Sequence, residues 1–503
     1  MRWLLVVMAA LLVAGCFDGG RDDADTGGGP SGGSWKADEV PPGCDALRPV
    51  VAHTFGGVPR AAPGMRAPVA CAHPTGRPGG EPTIGVSADG TVWVYPTSGA
   101  VDADPITNGR GPAYSRDGGA TWDRSLIDVA GTGLTVQRLS LDPYLFLDPT
   151  TGRIFIDDID AVACSQLSWT DDEGATWQGH VQSGCLVTDH QSVFTGPPVS
   201  SPTAGYPNIV YRCALSGGAL ADTSSAVACQ RSLTGGLTWM PPGRPAYTWT
   251  PMAAGDLGAE GACYSGPGHG ITDPADGRIY WPGGLCGQPV IAISDDEGLT
   301  WTVAHPGDNG MNGRDGTAHD SSVAVDAEGT VYSFWVAADS LPYIAVSTDR
   351  GTSWSSPRMV GPPGLTGAAH PQVAAGGAGK LAWVYMGTFD DPASDDQDWF
   401  GVIGASWDFE AAQPTLWSGA VTNGTDRFVR GVCGAIRCSA GSGDFVDVRI
   451  APDGTPWGVF TDDCKGPCES ESGGATDSRE VVAVRFFGGG SLWDAADANG
   501  PYP

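Results

Sequence analysis

The sequence predicts an all-β fold built from one repeated hairpin unit. An octapeptide that ends in tryptophan occurs five times, with starts 55, 62, 62 and 53 residues apart. Between the copies, apolar and polar residues alternate around turns of the Asp-Gly type, which is typical of β-hairpins. A regular period of this kind indicates a repeat architecture and not several unrelated domains. The copies are SRDGGATW (115–122), TDDEGATW (170–177), SLTGGLTW (232–239), SDDEGLTW (294–301) and STDRGTSW (347–354).

Each octapeptide has the residues of a tight turn. The first hydroxyl and the third-position carboxylate can accept hydrogen bonds from nearby backbone N–H groups, and the glycine supplies a backbone conformation that other residues avoid. The closing tryptophan can then start a strand by packing into the core. The third copy carries Thr234 in place of the aspartate, and a sixth copy around Ser406, Asp408 and Trp417 is degraded.

These copies resemble the S-x-D-x-G-x-T-W Asp-box of the sialidase superfamily. The resemblance implies a single sialidase-like β-propeller of four-stranded blades, in which each box joins the third and fourth strands on the face opposite the ligand site. The boxes therefore predict the fold and not the chemistry. Their structural residues are Ser115, Asp117, Gly119, Trp122, Thr170, Asp172, Gly174, Trp177, Ser232, Gly236, Trp239, Ser294, Asp296, Gly298, Trp301, Ser347, Asp349, Gly351 and Trp354.

A second periodic element precedes the boxes and sets the expected number of blades. It consists of an acidic or histidine-bearing entry, an alternating strand, a turn and a second strand, as in DPYLFLDPTTGRIFI from Asp142. Seven such elements predict seven blades, with six as the alternative because sialidases have six. For ring closure we expect Val481–Phe487 to pair with Pro49–Phe55, which would remove exposed edges.

The N-terminus predicts export and a lipid anchor. Residues 1–15 have a charged start and an apolar run too short for a membrane span, which needs about 20 residues. The following Val13-Ala14-Gly15-Cys16 resembles a bacterial lipobox, which implies lipidation at Cys16; the alternative is an ordinary secretory signal with an incidental cysteine. Residues 16–43 are a Gly, Asp, Ser and Pro rich tether, and 44–503 form the propeller. The predicted location is the cell surface or periplasm.

Charge and cysteine content narrow the partners and the compartment. The net charge of −30 comes from scattered acids, which argues against nucleic acid as a partner. Twelve cysteines remain after Cys16, an even number suited to disulfides in an oxidising compartment. A zinc site is the weaker alternative because paired Cys-x2-Cys sets do not occur. The expected pairs join neighbours in the sequence: Cys44 with Cys71, Cys164 with Cys185, Cys213 with Cys229, Cys263 with Cys286, Cys433 with Cys438, and Cys464 with Cys468.

Two of these pairs also follow from hairpin geometry. Cys164 and Cys185 are equidistant from the turn at Gly174, and Cys213 and Cys229 are equidistant from Ala221. Such residues lie opposite each other on paired strands, close enough for a disulfide.

Polar residues recur at the blade entries, where the first strand of each blade meets the central funnel. Four of the eight histidines fall at this position. They could contact a ligand, act as acid and base groups, or bind a metal. Alternatively, each side chain has a structural role and hydrogen bonds to the backbone of the neighbouring blade, which holds the ring together. The candidates are Glu81, Asp142, Asp189, His190, His269, His319, Asp320, His370 and Asp447, with Asp444 beside the last.

The function follows less directly from these residues. The resemblance implies exo-sialidase activity, yet the F/Y-R-I-P segment of sialidases is absent and no motif selects an arginine triad from Arg60, Arg66, Arg138, Arg212, Arg314, Arg430 and Arg437. Glu260 and Tyr264 are a weak match to the catalytic Glu and Tyr. We therefore expect a monomer that binds a glycan or protein ligand in its funnel, with a glycoside hydrolase as the alternative. No cofactor is required, although a divalent metal at the funnel or in the acidic Asp390–Asp398 loop is an option.

Overall fold

The computed structural model describes residues 40–494 with gaps at 45–46, 55–58, 60–64, 98–110, 128–139, 161–163, 186–187, 217–224, 250–263, 266, 286, 312–316, 319–320, 392–393, 395–396, 423–426, 431–444 and 464–479. The described secondary structure consists of strands and turns. Within these ranges, no helix is long and apolar enough to cross a membrane. The predicted signal segment, Cys16 and the tether up to residue 39 lie outside them.

The strands of the described residues build seven blades. The first three strands belong to the last two blades: β1 (Leu47–Pro49), β2 (Val51–His53) and β3 (Arg66–Pro74). Blades 1 to 3 contain β4 (Thr83–Val86), β5 (Val92–Tyr95), β6 (Ala113–Ser115), β7 (Asp123–Arg124); β8 (Ser140–Leu147), β9 (Ile154–Asp160), β10 (Cys164–Thr170), β11 (Gln178–Cys185); and β12 (Thr188–Gly196), β13 (Ile209–Ser216), β14 (Ser225–Ser232), β15 (Tyr247–Trp249).

The remaining strands follow in the same order. After β16 (Tyr264–Ser265), blade 4 contains β17 (Ile271–Thr272), β18 (Ile279–Leu285), β19 (Gln288–Ser294) and β20 (Thr302–Ala304). After β21 (Thr317–Ala318), which pairs with β16, blade 5 contains β22 (Ser322–Val325), β23 (Val331–Val336), β24 (Pro342–Ser347) and β25 (Arg358–Met359). Blade 6 contains β26 (Gly367–Ala375), β27 (Leu381–Thr388), β28 (Asp398–Ser406) and β29 (Leu416–Val421), and β30 (Val429–Arg430), β31 (Asp447–Ile450), β32 (Pro456–Asp462) and β33 (Glu480–Gly489) complete the chain.

In blades 1 to 6 the four strands pair antiparallel in chain order, so the first strand is innermost. In blade 7 the strands β31, β32 and β33 do the same, and N-terminal strands complete the outer side. The prediction of seven blades is confirmed, and the alternative of six is wrong. The hydrophobic core lies between adjacent blades: Ile84 and Val94 of blade 1, for example, share a buried cluster with Trp457, Val459 and Ala483 of blade 7.

Ring closure uses a different strand from the one that the sequence predicts. Blade 7 orders as β31, β32, β33, β3 and β1, with Ala72 opposite Val484. The expected partner Val51–His53 instead pairs with β29 at the outer edge of blade 6, and Phe55 lies outside the described residues. The prediction was wrong because β3 is longer and more deeply buried, so placing it beside β33 removes more apolar surface from water.

The recurring octapeptides form the turns between third and fourth strands. In the second copy, Thr170 Oγ1 accepts a hydrogen bond from Gly174 N at 2.9 Å, and Asp172 Oδ1 accepts one from Thr176 N at 2.8 Å. In the third copy, Thr234 Oγ1 replaces the carboxylate and accepts from Thr238 N at 2.9 Å. These bonds span four residues, which explains why the turn forms wherever the octapeptide occurs.

Two arginines tie these turns to the innermost hairpins and to the next blade. Arg153, just before β9, forms a bidentate pair with Asp171 in its own octapeptide, at 2.6 and 2.7 Å, and donates to Gly235 O of the next blade's octapeptide at 3.0 Å. Arg278 bridges Asp295 and Arg350 O in the same way. The octapeptides and the turns that follow the innermost strands therefore share one face. We call it the Asp-box face, after the motif that the octapeptides resemble, and the opposite face is the entry face.

Two of the expected disulfides are present. Cys44 bonds to Cys71, and Cys213 bonds to Cys229 across β13 and β14. The backbone register also places Cys164 opposite Cys185, as the hairpin argument predicts.

The Cys164–Cys185 bond itself stays a prediction, because the two side chains lie outside the described part of the structure. The other three predicted disulfides also stay predictions, because their cysteines lie outside the described residues. The first would join Cys263 to Cys286, and both of these cysteines fall in gaps on either side of β18. The remaining cysteines lie late in the chain: Cys433 and Cys438 in the gap before β31, and Cys464 and Cys468 in the gap between β32 and β33.

Buried His73 makes the stability of the ring pH dependent. Its Nδ1–H donates to Gly119 O at 3.1 Å, and burial, followed by the charge of Arg485, lowers the pKa of His73 from 6.5 to about 4. The unfolded chain therefore binds this proton between pH 6.5 and pH 4 while the folded chain does not, so stability is lost as the pH falls through that window. We expect His73 to account for a loss of about 3 kcal/mol in the free energy of unfolding from pH 7 to pH 4.

The comparison of wild type with His73→Asn measures this contribution, because asparagine keeps an N–H donor for Gly119 O and does not titrate. Urea unfolding at pH 7, 5.5 and 4 should give a shallower acid loss for the variant. Parallel pH curves for the two proteins would contradict the prediction.

Candidate functional site in the central channel

Four of the predicted entry residues have an unusual backbone. Glu81, Asp142, His190 and His370 have φ between 46° and 54°, in the left-handed region that non-glycine residues rarely occupy. At the last three a β-bulge breaks the pairing of the innermost strand with the second strand. Bulges of this kind re-aim side chains and are common beside functional sites.

Two entry carboxylates bind the next blade in the ring. Glu81 Oε2 accepts a hydrogen bond from Asp142 N at 3.3 Å, and Asp142 Oδ2 accepts one from His190 N at 3.4 Å. These contacts agree with the structural interpretation of the entry residues, in which their side chains hydrogen bond to the backbone of the neighbouring blade. The backbone N–H groups need such partners because the strand entries are buried or half-buried.

A second ring of contacts lies two residues further along the innermost strands. Ile84 N donates to Asp447 Oδ2 at 3.1 Å, Leu145 N to Thr83 Oγ1 at 2.9 Å, Gly270 N to Ser192 Oγ at 3.2 Å, and Val373 N to Ser322 Oγ at 3.1 Å. Each bond joins one blade to the next. The inner end of the ring is therefore held by side chains that bond to neighbouring backbone.

This second ring corrects the predicted positions of two candidates. Because Gly270 N bonds as Leu145 N does, His269 is equivalent to Tyr144 and lies one layer deeper than the entry where the sequence placed it. Asp447 likewise corresponds to Thr83, and Phe445 takes its blade's entry position. The side chain of Asp189 and all of His319, Asp320 and Asp444 lie outside the described residues.

Aromatic rings from four blades meet near the entry end of the channel. Phe445 of blade 7 contacts His190 of blade 3 and His269 of blade 4, with ring centroids 5.1 and 5.0 Å apart, and His269 contacts Tyr144 of blade 2 at 4.5 Å. All four side chains are buried. Since blades 3 and 4 lie across the ring from blade 7, these side chains occupy the channel axis and close it at this level.

Below these rings lies a cavity of about 230 Å³. Its deep end includes Tyr144, His269 and Gln372, and its other end includes the turn residues Pro149 and Pro274 on the Asp-box face. The turn residues at this other end and several wall residues are partly or fully exposed, whereas the rings above are buried. The cavity that the described residues line therefore opens to solvent at the Asp-box face. The partly exposed wall residues include Phe146, Ile271, Ala374 and Arg449.

Arg449 brings a charge into this wall. Its Nη1 donates to Asp447 Oδ1 at 2.6 Å, and its charge acts on the nearby Tyr144 hydroxyl. Burial raises the pKa of Asp447, although Arg449 opposes that shift. Burial also raises the pKa of Tyr144, which stays a neutral phenol. The result is a buried carboxylate that is paired with a partly exposed arginine side chain in a largely apolar cavity.

Other residues singled out in the sequence do not converge on this cavity. Arg212 is buried in an ion pair with Asp157, and Arg66 is exposed in β3. In the acidic loop, Asp390 Oδ2 accepts from Asp398 N and Asp398 pairs with Arg427. In the described part of the chain no group of three or more His, Cys, Asp or Glu is arranged to hold a metal ion. Glu260 and the side chains of Tyr264 and Arg430 lie outside that part, as do Arg60, Arg138, Arg314 and Arg437.

Sequence reasoning missed Tyr144, Phe445 and Arg449. Tyr144 and Arg449 lie on innermost strands that the alternating pattern predicts, each two residues after a predicted site residue. An alignment of these strands by the turns that follow them, and not by their polar first residues, would have found both. The sequence does not mark Phe445 as a channel residue, because an aromatic residue at a strand entry is ordinarily part of the core.

Comparison with known proteins gives similarity in fold. No family model matches the chain, and no curated protein matches it. Among solved structures, it is similar to NanB sialidase from Streptococcus pneumoniae (TM-score 0.40, 12% identity, 73% of this chain and 70% of that one). It is also similar to an α-L-arabinofuranosidase from Fusarium graminearum (0.41, 13%, 73% and 97%) and to Aleuria aurantia lectin (0.37, 13%, 69% and 96%).

Proposed function

We propose that this chain is an exported binding protein of the cell envelope, whose central channel holds part of a glycan or protein ligand. The observation that carries the proposal is the channel cavity itself: an apolar wall with a few polar groups, Tyr144, Gln372 and Arg449, at its closed end. Binding sites for small ligands have this composition, with polar groups that fix orientation and apolar walls that supply contact area.

Binding is favoured over glycoside hydrolysis by the placement of the carboxylates. Glycoside hydrolases of most families use two carboxyl groups that flank the scissile bond. Here Glu81 and Asp142 accept hydrogen bonds from neighbouring blades, and Asp447 is paired with Arg449. The described part of the cavity wall presents Tyr144, His269 and Arg449 as its ionisable groups.

The N-terminal segment joins the propeller at a definite face. Gly43 lies against Gly119 and Ala120, within the first octapeptide, so the chain reaches the propeller at the Asp-box face. A lipid on Cys16 would then connect to the propeller at this face, by way of the tether that the sequence predicts. Export as a lipoprotein is tested by Cys16→Ser, which should release the protein from the membrane fraction.

Filling the cavity tests the proposed site. Ala374 lies partly exposed in the wall, so Ala374→Trp should occupy the space and abolish ligand binding. The matched control is Ala411→Trp on an exposed turn, which should bind as wild type does. Binding is measured on a glycan array and a peptide array, and a panel of chromogenic glycosides that includes a sialoside measures hydrolysis.

If wild type releases dye from a glycoside and Ala374→Trp does not, the protein is a glycoside hydrolase and the binding proposal is wrong. Array binding that Ala374→Trp leaves unchanged would show that the ligand does not sit in the channel.

A further inference from the structure

Arg449 is the charged group in an otherwise apolar part of the cavity. Phe146, Ile271 and Ala374 form the neighbouring wall, and Ile450 and Val325 continue it. A cation is expensive in such surroundings unless it is paired or has a function. The side chain is nevertheless about a third exposed, at 32%, and since Arg449 belongs to the cavity wall, that exposed part is accessible from the cavity.

The pairing of Arg449 leaves hydrogen-bonding capacity toward the cavity. Nη1 makes the bonds to Asp447 Oδ1 and to Val448 O, and the Tyr144 hydroxyl lies nearby. A guanidinium carries five N–H donors in a planar fork that matches a carboxylate. Asp447 therefore orients the fork and offsets its charge without using all its donors.

The size of the cavity limits the ligand. An apolar cavity of about 150 Å³ holds a benzene molecule, and this one is about 230 Å³. There is room for a phenyl or branched alkyl group together with one carboxylate. A hexose of similar volume would place several hydroxyl groups against apolar side chains, which costs free energy for each hydrogen bond that is lost.

We propose that the cavity binds a small apolar group that ends in a carboxylate, which enters from the Asp-box face and is held by Arg449. This inference rests on the proposed function and names its ligand class. The same chemistry has two sources, a free small acid and the C-terminal residue of a peptide with an apolar side chain. Both present an apolar body behind one carboxylate.

The test compares an acid with its neutral amide. The probes are 3-phenylpropionate and 3-phenylpropionamide, titrated into the full-length protein at pH 7 by calorimetry. A six-residue peptide ending in phenylalanine, with a free or amidated C-terminus, forms the second pair. Wild type should bind the acid of at least one pair about tenfold or more tighter than its amide, as a charge-assisted bidentate contact implies. The pair that shows the difference identifies the source.

Two variants should change the affinity in opposite directions. Arg449→Gln should weaken binding of the acid at least tenfold and leave the amide nearly unchanged. Asp447→Asn should tighten binding of the acid severalfold, because the guanidinium charge is no longer offset, while the asparagine oxygen can still accept from Ile84 N. A purely structural role for this pair would weaken binding in both variants. Thermal unfolding of each variant checks that it folds. If Arg449→Gln does not fold, the affinity of Asp447→Asn for the acid is by itself the test of the inference.

Equal affinity for acid and amide in wild type, or an Asp447→Asn variant that binds the acid no more tightly, would overturn the inference. Array ligands that Ala374→Trp blocks, with no binding of either acid, would also overturn it while leaving the proposed function intact. Array ligands that Ala374→Trp does not block would instead remove the proposed function.

Discussion

Replacing Arg212 by methionine should lower the free energy of unfolding by about 3–5 kcal/mol. Arg212 Nε donates to Asp157 Oδ2 at 3.0 Å, and its Nη2 donates to Ser165 Oγ. Both side chains of the ion pair are buried, at 4% and 0% exposure. The variant keeps the bulk of the side chain but leaves the Asp157 carboxylate buried without its cation. Urea unfolding at pH 7 measures the loss.

The double variant Asp157→Leu with Arg212→Met separates the cost of an orphaned charge from the value of the pair. A buried pair replaced as a unit by apolar residues is often nearly neutral, so the double variant should recover most of the lost stability. A double variant as unstable as Arg212→Met would mean that packing around β9 and β13, and not the uncompensated charge, causes the loss.

Removing the disulfide between Cys213 and Cys229 should cost about 4 kcal/mol. The bond closes a loop of 16 residues, and releasing a loop of that length costs about 3 kcal/mol through the entropy of the unfolded chain. The two sulfur atoms are buried between blades 3 and 4, so Cys213→Ala with Cys229→Ala adds about 1 kcal/mol from lost contacts.

Unfolding of the double variant is compared with wild type under non-reducing conditions. Alkylation of the denatured wild-type protein without reductant, followed by mass spectrometry, checks that these two thiols are protected. Alkylation of both cysteines, or a double variant as stable as wild type, would contradict the prediction.

How far the sequence predicts this fold depends on the range of the contacts. The octapeptide turns were predictable because their hydrogen bonds join residues four positions apart, as between Thr176 and Asp172. The pairing of Cys213 with Cys229 was predictable because residues equidistant from one turn face each other. Ring closure was not, since β1, β2 and β3 compete for edges that are hundreds of residues away in the chain.

The sequence by itself determined an all-β repeat, its hairpin turns, and the polar character of the strand entries, because neighbouring residues set all three. Only the tertiary structure decided what those entries do. Bulges at Asp142, His190 and His370 aim their side chains, and Phe445 crosses to the opposite blades. Tyr144, Asp447 and Arg449 meet across the ring. The contacts of Phe445, and those of Tyr144 with blade 7, join strands from different blades, so which residues meet in the channel depends on the register of each strand and on how the ring closes.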